Sequence, residues 1–110
     1  MSMIPEVKIL EAARVLHETA QPAKVILFGS HARGEATEDL DVDFMVIEPA
    51  VENRVKETLR LRKAIRPLKF ANDLLVYSRA DVERKEDWCS TAIYWALKEG
   101  KVLYDTLPEE

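Results

Sequence analysis

Cysteine is almost missing from this chain. Cys89 stands alone, so no internal disulfide can form, and with only His17 and His31 beside it there is too little sulfur and nitrogen for a zinc cluster. A metal, if one is used, is expected among oxygen ligands. No apolar segment approaches the length of a membrane span, and the opening "MSMIPEVKILEAARVLHE" lacks the basic flank and unbroken apolar stretch of a signal peptide. A cytoplasmic protein without membrane association is the expectation. An excess of positive charge is missing too: 20 acidic residues face 16 basic ones, a formal net charge of -4, which argues against wholesale coating of nucleic acid. Repeats, low-complexity tracts and linkers are also lacking, so residues 1–110 are expected to form a single domain with one core and no second lobe.

What is present reads as alternating helices and strands. "PEVKILEAARVLHETA" repeats Ile9, Ala13, Leu16 and Ala20 at helical spacing behind a proline at the favoured first position. "AKVILFG" is a buried-strand pattern, a short helix is expected near Ser30, and "DVDFMVIE" is a second buried strand stopped by Pro49. Val51, Val55, Leu59 and Ile65 mark the expected inner face of a long helix ending before Pro67. "DLLVYS" is a third strand, "EDWCSTAIYWALKEG" a last helix stopped at Gly100, and "KVLYD" a fourth strand. The order predicts an α+β two-layer sandwich, a mixed sheet with helices mainly on one face.

The stretch "LFGSHARGEATEDLDVDFMVIE" carries the chemistry. In a strand, Asp41 and Asp43 share one face with α-carbons about 6.6 Å apart. Two carboxylates about 5 Å apart repel by roughly 3 kcal/mol at an effective dielectric near 20. Divalent cations would offset that repulsion, and an all-oxygen donor set suits Mg²⁺ or Mn²⁺ in phosphoryl-group displacement. A solvated strand end explains the pair as well when it is taken alone. Gly29-Ser30 follows a strand where a helix can begin, a place where the backbone can approach phosphate closely, although plain turns have the same composition. A third carboxylate, Asp73, opens the next strand. If the two strands lie side by side, three acids meet at one rim of the sheet.

Gly29-Ser30, ten residues, then Asp41-Val42-Asp43 resembles the G-S-x10-D-x-D signature of the nucleotidyltransferase superfamily that includes DNA polymerase beta. The "GSHARGEA" wording and the small size are similar to its minimal members, the MNT domains paired with HEPN-domain toxins in prokaryotic toxin-antitoxin modules. Many relatives carry serine before the first aspartate, where this chain has Leu40. The resemblance implies the nucleotidyltransferase fold and a metal-dependent enzyme using ATP. It implies that Gly29 and Ser30 hold the terminal phosphates, that Asp41 and Asp43 bind Mg²⁺ or Mn²⁺, and that Asp73 joins them and activates the attacking hydroxyl. Arg33 is either a phosphate contact or the ion-pair partner of Glu35 or Glu38. The implied reaction is AMP transfer to a tyrosine hydroxyl of a HEPN toxin, making the chain an antitoxin in a hetero-oligomer. A non-catalytic antitoxin that occludes its partner is the alternative, and direct nucleic-acid binding is not expected.

Two surfaces bear on a partner. The last helix is apolar around much of its circumference, with Trp88, Ala92, Trp95 and Ala96 on one side and Ile93 and Leu97 close by, which either a core or a contact patch would explain. Between residues 54 and 69, Arg54, Lys56, Arg60, Arg62, Lys63, Arg66 and Lys69 face the single acid Glu57. A solvated helix face and a docking surface for an acidic partner or nucleic acid both fit that run.

Overall fold

The structure, a computed structural model, describes residues 6–34, 41–85, 88 and 91–108. The expected helix start at Pro5, Leu40, Cys89, and the acids Glu35 and Glu38 lie outside the described residues. The chain runs α1 (Glu6–Ala20), β1 (Lys24–Phe28), α2 (Ser30–Arg33), β2 (Val42–Glu48), α3 (Arg54–Ile65), a 3-10 turn (Arg66–Leu68), β3 (Asn72–Ser78), α4 (Arg79–Lys85), α5 (Ala92–Glu99) and β4 (Lys101–Asp105). The sheet order is β3-β2-β1-β4; β1 is antiparallel to both its neighbours, and β2 is parallel to β3. A parallel pair needs a crossover, and α3 supplies it.

The strands alternate as their sequences require. Val42, Phe44 and Val46 of β2 join Val25 and Leu27 of β1 and Leu74 and Val76 of β3 under α1 and α3. Met45, Ile47 and Ile26 turn to the other face, where Val82 of α4 and Ile93 and Ala96 of α5 meet them. The expected mixed sheet is thus present, with its two longest helices on one face and the shorter α4 and α5 on the other. Fully burying a side chain such as Phe44, Leu16 or Met45 contributes about 2 kcal/mol each.

Two helices differ from the sequence reading. The expected inner face of α3 holds only in part: Ile65 is buried and Val51 is partly buried against the core, but Val55 is 69% and Leu59 57% exposed, and Leu61 takes the inner place. Asn53 caps the helix by accepting from the Lys56 N–H at 3.0 Å, so regular winding begins at Arg54 and turns Leu61 and Ile65 to the sheet. The last helix is shorter than expected, because Thr91 accepts from the Tyr94 N–H at 3.2 Å and starts it at Ala92. A separate helix, α4, precedes it. Ser78 and Asp81 cap that helix reciprocally, the Asp81 N–H donating to Ser78 Oγ at 3.2 Å and the Ser78 N–H to Asp81 Oδ2 at 3.4 Å. Gly100 is extended rather than left-handed, and its need is space: an added Cβ would stand 2.3 Å from the Ala96 carbonyl oxygen and 2.6 Å from Ile26 Cγ2.

At the far end of β2, Glu48 is only 8% exposed, and its Oε2 has no partner among the described residues. Arg60 holds Glu57 with two bonds, at 3.0 and 2.6 Å, and donates to the Thr19 carbonyl at 3.0 Å, tying α3 to the end of α1. Burial, then the adjoining Glu57 carboxylate, pushes the Glu48 carboxyl up to about 8 from an ordinary 4.5, with Arg60 opposing. A carboxyl raised in the fold contributes stability below its ordinary value and loses it as pH rises through the folded value. Stability is therefore expected to decline between about pH 4.5 and pH 8. Glu48→Gln should flatten that decline and gain about 1 kcal/mol or more at the alkaline end, measured by urea denaturation across the range; an unchanged pH slope contradicts this account.

Candidate functional site

β1 ends at Phe28, directly opposite Asp43 of β2. The chain then turns at Gly29, whose φ of 76° lies in the region that favours glycine, and enters the single turn of α2. The Gly29 carbonyl accepts from the N–H groups of Ala32 at 3.1 Å and Arg33 at 3.2 Å. A Cβ at Gly29 would lie 2.2 Å from Asp43 Oδ2 and 3.1 Å from its Cγ. Two separate constraints, backbone angle and close approach, thus demand glycine here, and they bring the Gly-Ser bend against the second aspartate.

The parallel register pairs Asp43 with Asp73. Alternation puts Asp43 on the face of Met45 and Ile47, and Asp73 on that of Leu75 and Tyr77, so both carboxylates stand on the same side of the sheet at the start of adjacent strands. Asp41 lies just ahead of β2 and is exposed, as is Asp73; Asp43 is half-buried. Burial raises the Asp43 carboxyl above its ordinary value, and the charges of Asp73 and then Asp41 raise it further, while His31 and Arg33 oppose them. The structure therefore gathers Gly29, Ser30, Asp41, Asp43 and Asp73 at one rim. Arg33 is also there, with an ion pair to Glu99 at 3.7 Å. His31 and Glu99 escaped the sequence reading. His31 stood inside the motif as an unremarked residue, and no local spacing links Glu99 to Arg33.

Among the described residues no group of three or more His, Cys, Asp or Glu closes into a cage for a metal ion. Mg²⁺ does not require one, since it is commonly held by one or two carboxylates together with water and substrate phosphate oxygens. The donor set fits such an ion: the acids are hard oxygen donors, and burial first, then the charges of Asp73 and Asp41, raise the Asp43 carboxyl against the opposing His31 and Arg33.

At one rim of the sheet a pair of acids on adjacent strands thus stands beside a Gly-Ser bend. The sequence pattern of the nucleotidyltransferase domain family matches residues 7–110, and the chain belongs to that family. Comparison with curated proteins gives no match. Similar solved structures include a putative nucleotidyltransferase from Sulfolobus solfataricus, 19% identical over 91% of this chain and 85% of that one, with a TM-score of 0.56. A toxin-antitoxin structure with AMP-PNP is 19% identical over 94% of this chain and 75% of that one, TM-score 0.53. The tri-AMPylated Shewanella oneidensis HEPN toxin in complex with its MNT antitoxin gives 15%, 92%, 72% and 0.52 for the same four quantities. At these identities the likeness shows a shared fold.

Two variants test the rim. Gly29→Ala is expected to lower stability by at least about 1–2 kcal/mol from the backbone angle alone, with further loss as Asp43 is displaced, read from the urea midpoint; a wild-type midpoint would refute the contact. For Asp43 the folded carboxyl is raised, so its ionisation opposes folding as pH rises through the folded value. Asp43→Asn should therefore raise the thermal midpoint at neutral pH when no divalent cation is added. A variant less stable than wild type without the cation would overturn this.

Proposed function

We propose that the protein is a metal-dependent nucleotidyltransferase that moves AMP from ATP to a tyrosine hydroxyl of a partner HEPN toxin, acting as its antitoxin. The observation that carries the reading is the in-register pair Asp43 and Asp73 with Gly29 packed against Asp43. The likeness to an AMP-PNP-bound toxin-antitoxin structure and to a complex holding an AMPylated HEPN toxin supports the choice of nucleotide and partner.

Asp41, Asp43 and Asp73 would hold Mg²⁺ or Mn²⁺. When bound, such an ion neutralises charge on the triphosphate and lowers the pKa of the attacking hydroxyl. The chain's own residues do the positioning. The Gly29-Ser30 bend takes the terminal phosphates, where the close backbone and the serine hydroxyl offer donors, and Arg33 adds a cation beside them. Asp73, exposed on the outermost strand of the sheet, is open to an acceptor arriving from outside, and its carboxylate takes the proton as the hydroxyl oxygen bonds to the α-phosphorus and pyrophosphate departs. The acceptor is supplied by another protein, a reading supported by the likeness to the complex of an AMPylated HEPN toxin with its MNT antitoxin, and a hetero-oligomer is then the working form. Among the described residues no helix is long and apolar enough to cross a membrane, and the cytoplasm is where ATP and Mg²⁺ are at hand.

Incubation with Mg²⁺, ATP labelled at the α-phosphate and a HEPN partner is expected to label a partner tyrosine. Asp41→Asn and Asp43→Asn should each slow transfer by roughly a hundredfold or more and remove protection from the toxin. Protection that survives both substitutions, with no label transferred by the wild type, would establish occlusion instead.

A further inference from the structure

The outward turn of Val55 and Leu59 on α3 leaves a surface that the core does not use. Val55, Leu59, Arg62 and Arg66 follow one another at spacings of four, three and four residues, so they form one outward seam along a helix about 18 Å long. Its first half is apolar and exposed, and its second half is cationic. Glu57, the one acid of this stretch, is taken by Arg60, whereas Arg62, Arg66 and Lys69 make no ion pair with a described residue. Hollows flank the ridge on both sides. One, of about 320 Å³, lies towards β3 between Val55, Leu59, Arg62 and Leu74; the other, of about 390 Å³, lies between Leu59, Arg62, Lys63 and Arg66. A third, of about 440 Å³, is walled by Arg62, Arg66 and Lys69 and by Asn72, whose Oδ1 is buried without a partner among the described residues. Asn72 immediately precedes Asp73.

We propose that this seam is a docking surface for an acidic amphipathic helix of a protein partner, seated in the grooves beside α3. The proposal rests on the preceding reading only in taking the docked protein as the AMP acceptor. A ridge with a groove on either side is the shape another helix packs against, and apolar positions every three or four residues are what such packing consumes. Val55 and Leu59 call for apolar side chains on the partner, and Arg62, Arg66 and Lys69 for carboxylates one or two turns further along. A nucleic-acid backbone would use only the second half, and it would meet Asp73 and Asp41 at the end of the path. The path also has a destination. α3 begins near the Glu48 end of the sheet and leads through the 3-10 turn to Asn72, so a helix laid along it ends at the same rim as the acids, on the face of the sheet opposite to that of Asp43 and Asp73.

The test uses the whole chain without nucleotide and a fluorescent synthetic helix carrying leucines at the four-three spacing followed by glutamates. Anisotropy should show binding, with a scrambled peptide of equal composition at least about tenfold weaker. Leu59→Ser, and Arg62→Glu with Arg66→Glu, should each weaken binding about tenfold, and the charge-reversed double variant should regain it with a peptide whose glutamates are lysines. Equal binding of the scrambled peptide, tighter binding of a uridine homopolymer that displaces the helix, or no binding at all would overturn the proposal. Asp43→Asn, measured in parallel, separates the two readings. That variant should lose AMP transfer and keep peptide binding; absence of transfer by the wild type with peptide binding intact counts against the enzyme alone, and wild-type transfer with no peptide binding counts against the surface alone.

Discussion

The carboxylate of Asp43 rests against the α-carbon of Gly29, and the rim of the sheet is organised by that contact. It exists because β1 and β2 pair in a register that puts Phe28 opposite Asp43, leaving the next residue no room for a side chain. It also brings the bend, the start of α2 and two basic side chains, His31 and Arg33, to an aspartate already crowded by Asp73 and Asp41. Like charges placed so near one another work against folding. Perturbed acids of this kind cluster at functional sites, and the role proposed for this rim draws on that association.

β2 carries a displaced carboxyl at each end, and the two differ in kind. Glu48 sits behind α3, deprived of water and next to an acid already committed to Arg60, so a retained proton settles it. Asp43 is open on one side and ringed by charges of both signs, so a cation or a phosphate-bearing ligand can change its balance. The first belongs to the joint between α1 and α3, through the Arg60 bond to Thr19. The second belongs to whatever approaches the rim. Net pKa displacement alone does not tell them apart; accessibility and neighbours do.

Much of this was legible in the sequence. The four strands, α1 and the bend at Ser30 announced themselves through β-branched runs, helical spacing and glycine, and the acids through their two-residue interval. The meeting of Asp73 with Asp43 was conditional on two strands being neighbours, a fact that pairing alone decides. Local pattern failed where capping or long-range packing ruled. Val55 and Leu59 shared an apparent inner face with Ile65 by spacing, yet with Leu61 and Ile65 packed under the sheet they turn outward. The helix α4 was hidden because its start depends on a reciprocal Ser78–Asp81 bond rather than on apolar rhythm. The ion pair of Arg33 with Glu99 spans 66 positions, beyond any local signal.

Gly100 joins the last helix to the last strand with no slack, its backbone wedged between Ala96 and Ile26. Because Glu99 is the residue just before that wedge, the anchor for Arg33 is set by the middle of the sheet rather than by the surface. Length variation among kindred sequences should accordingly avoid the α5–β4 junction, where one inserted residue would unhitch the guanidinium from its counter-ion, and gather in connections that touch neither β1 nor the acids.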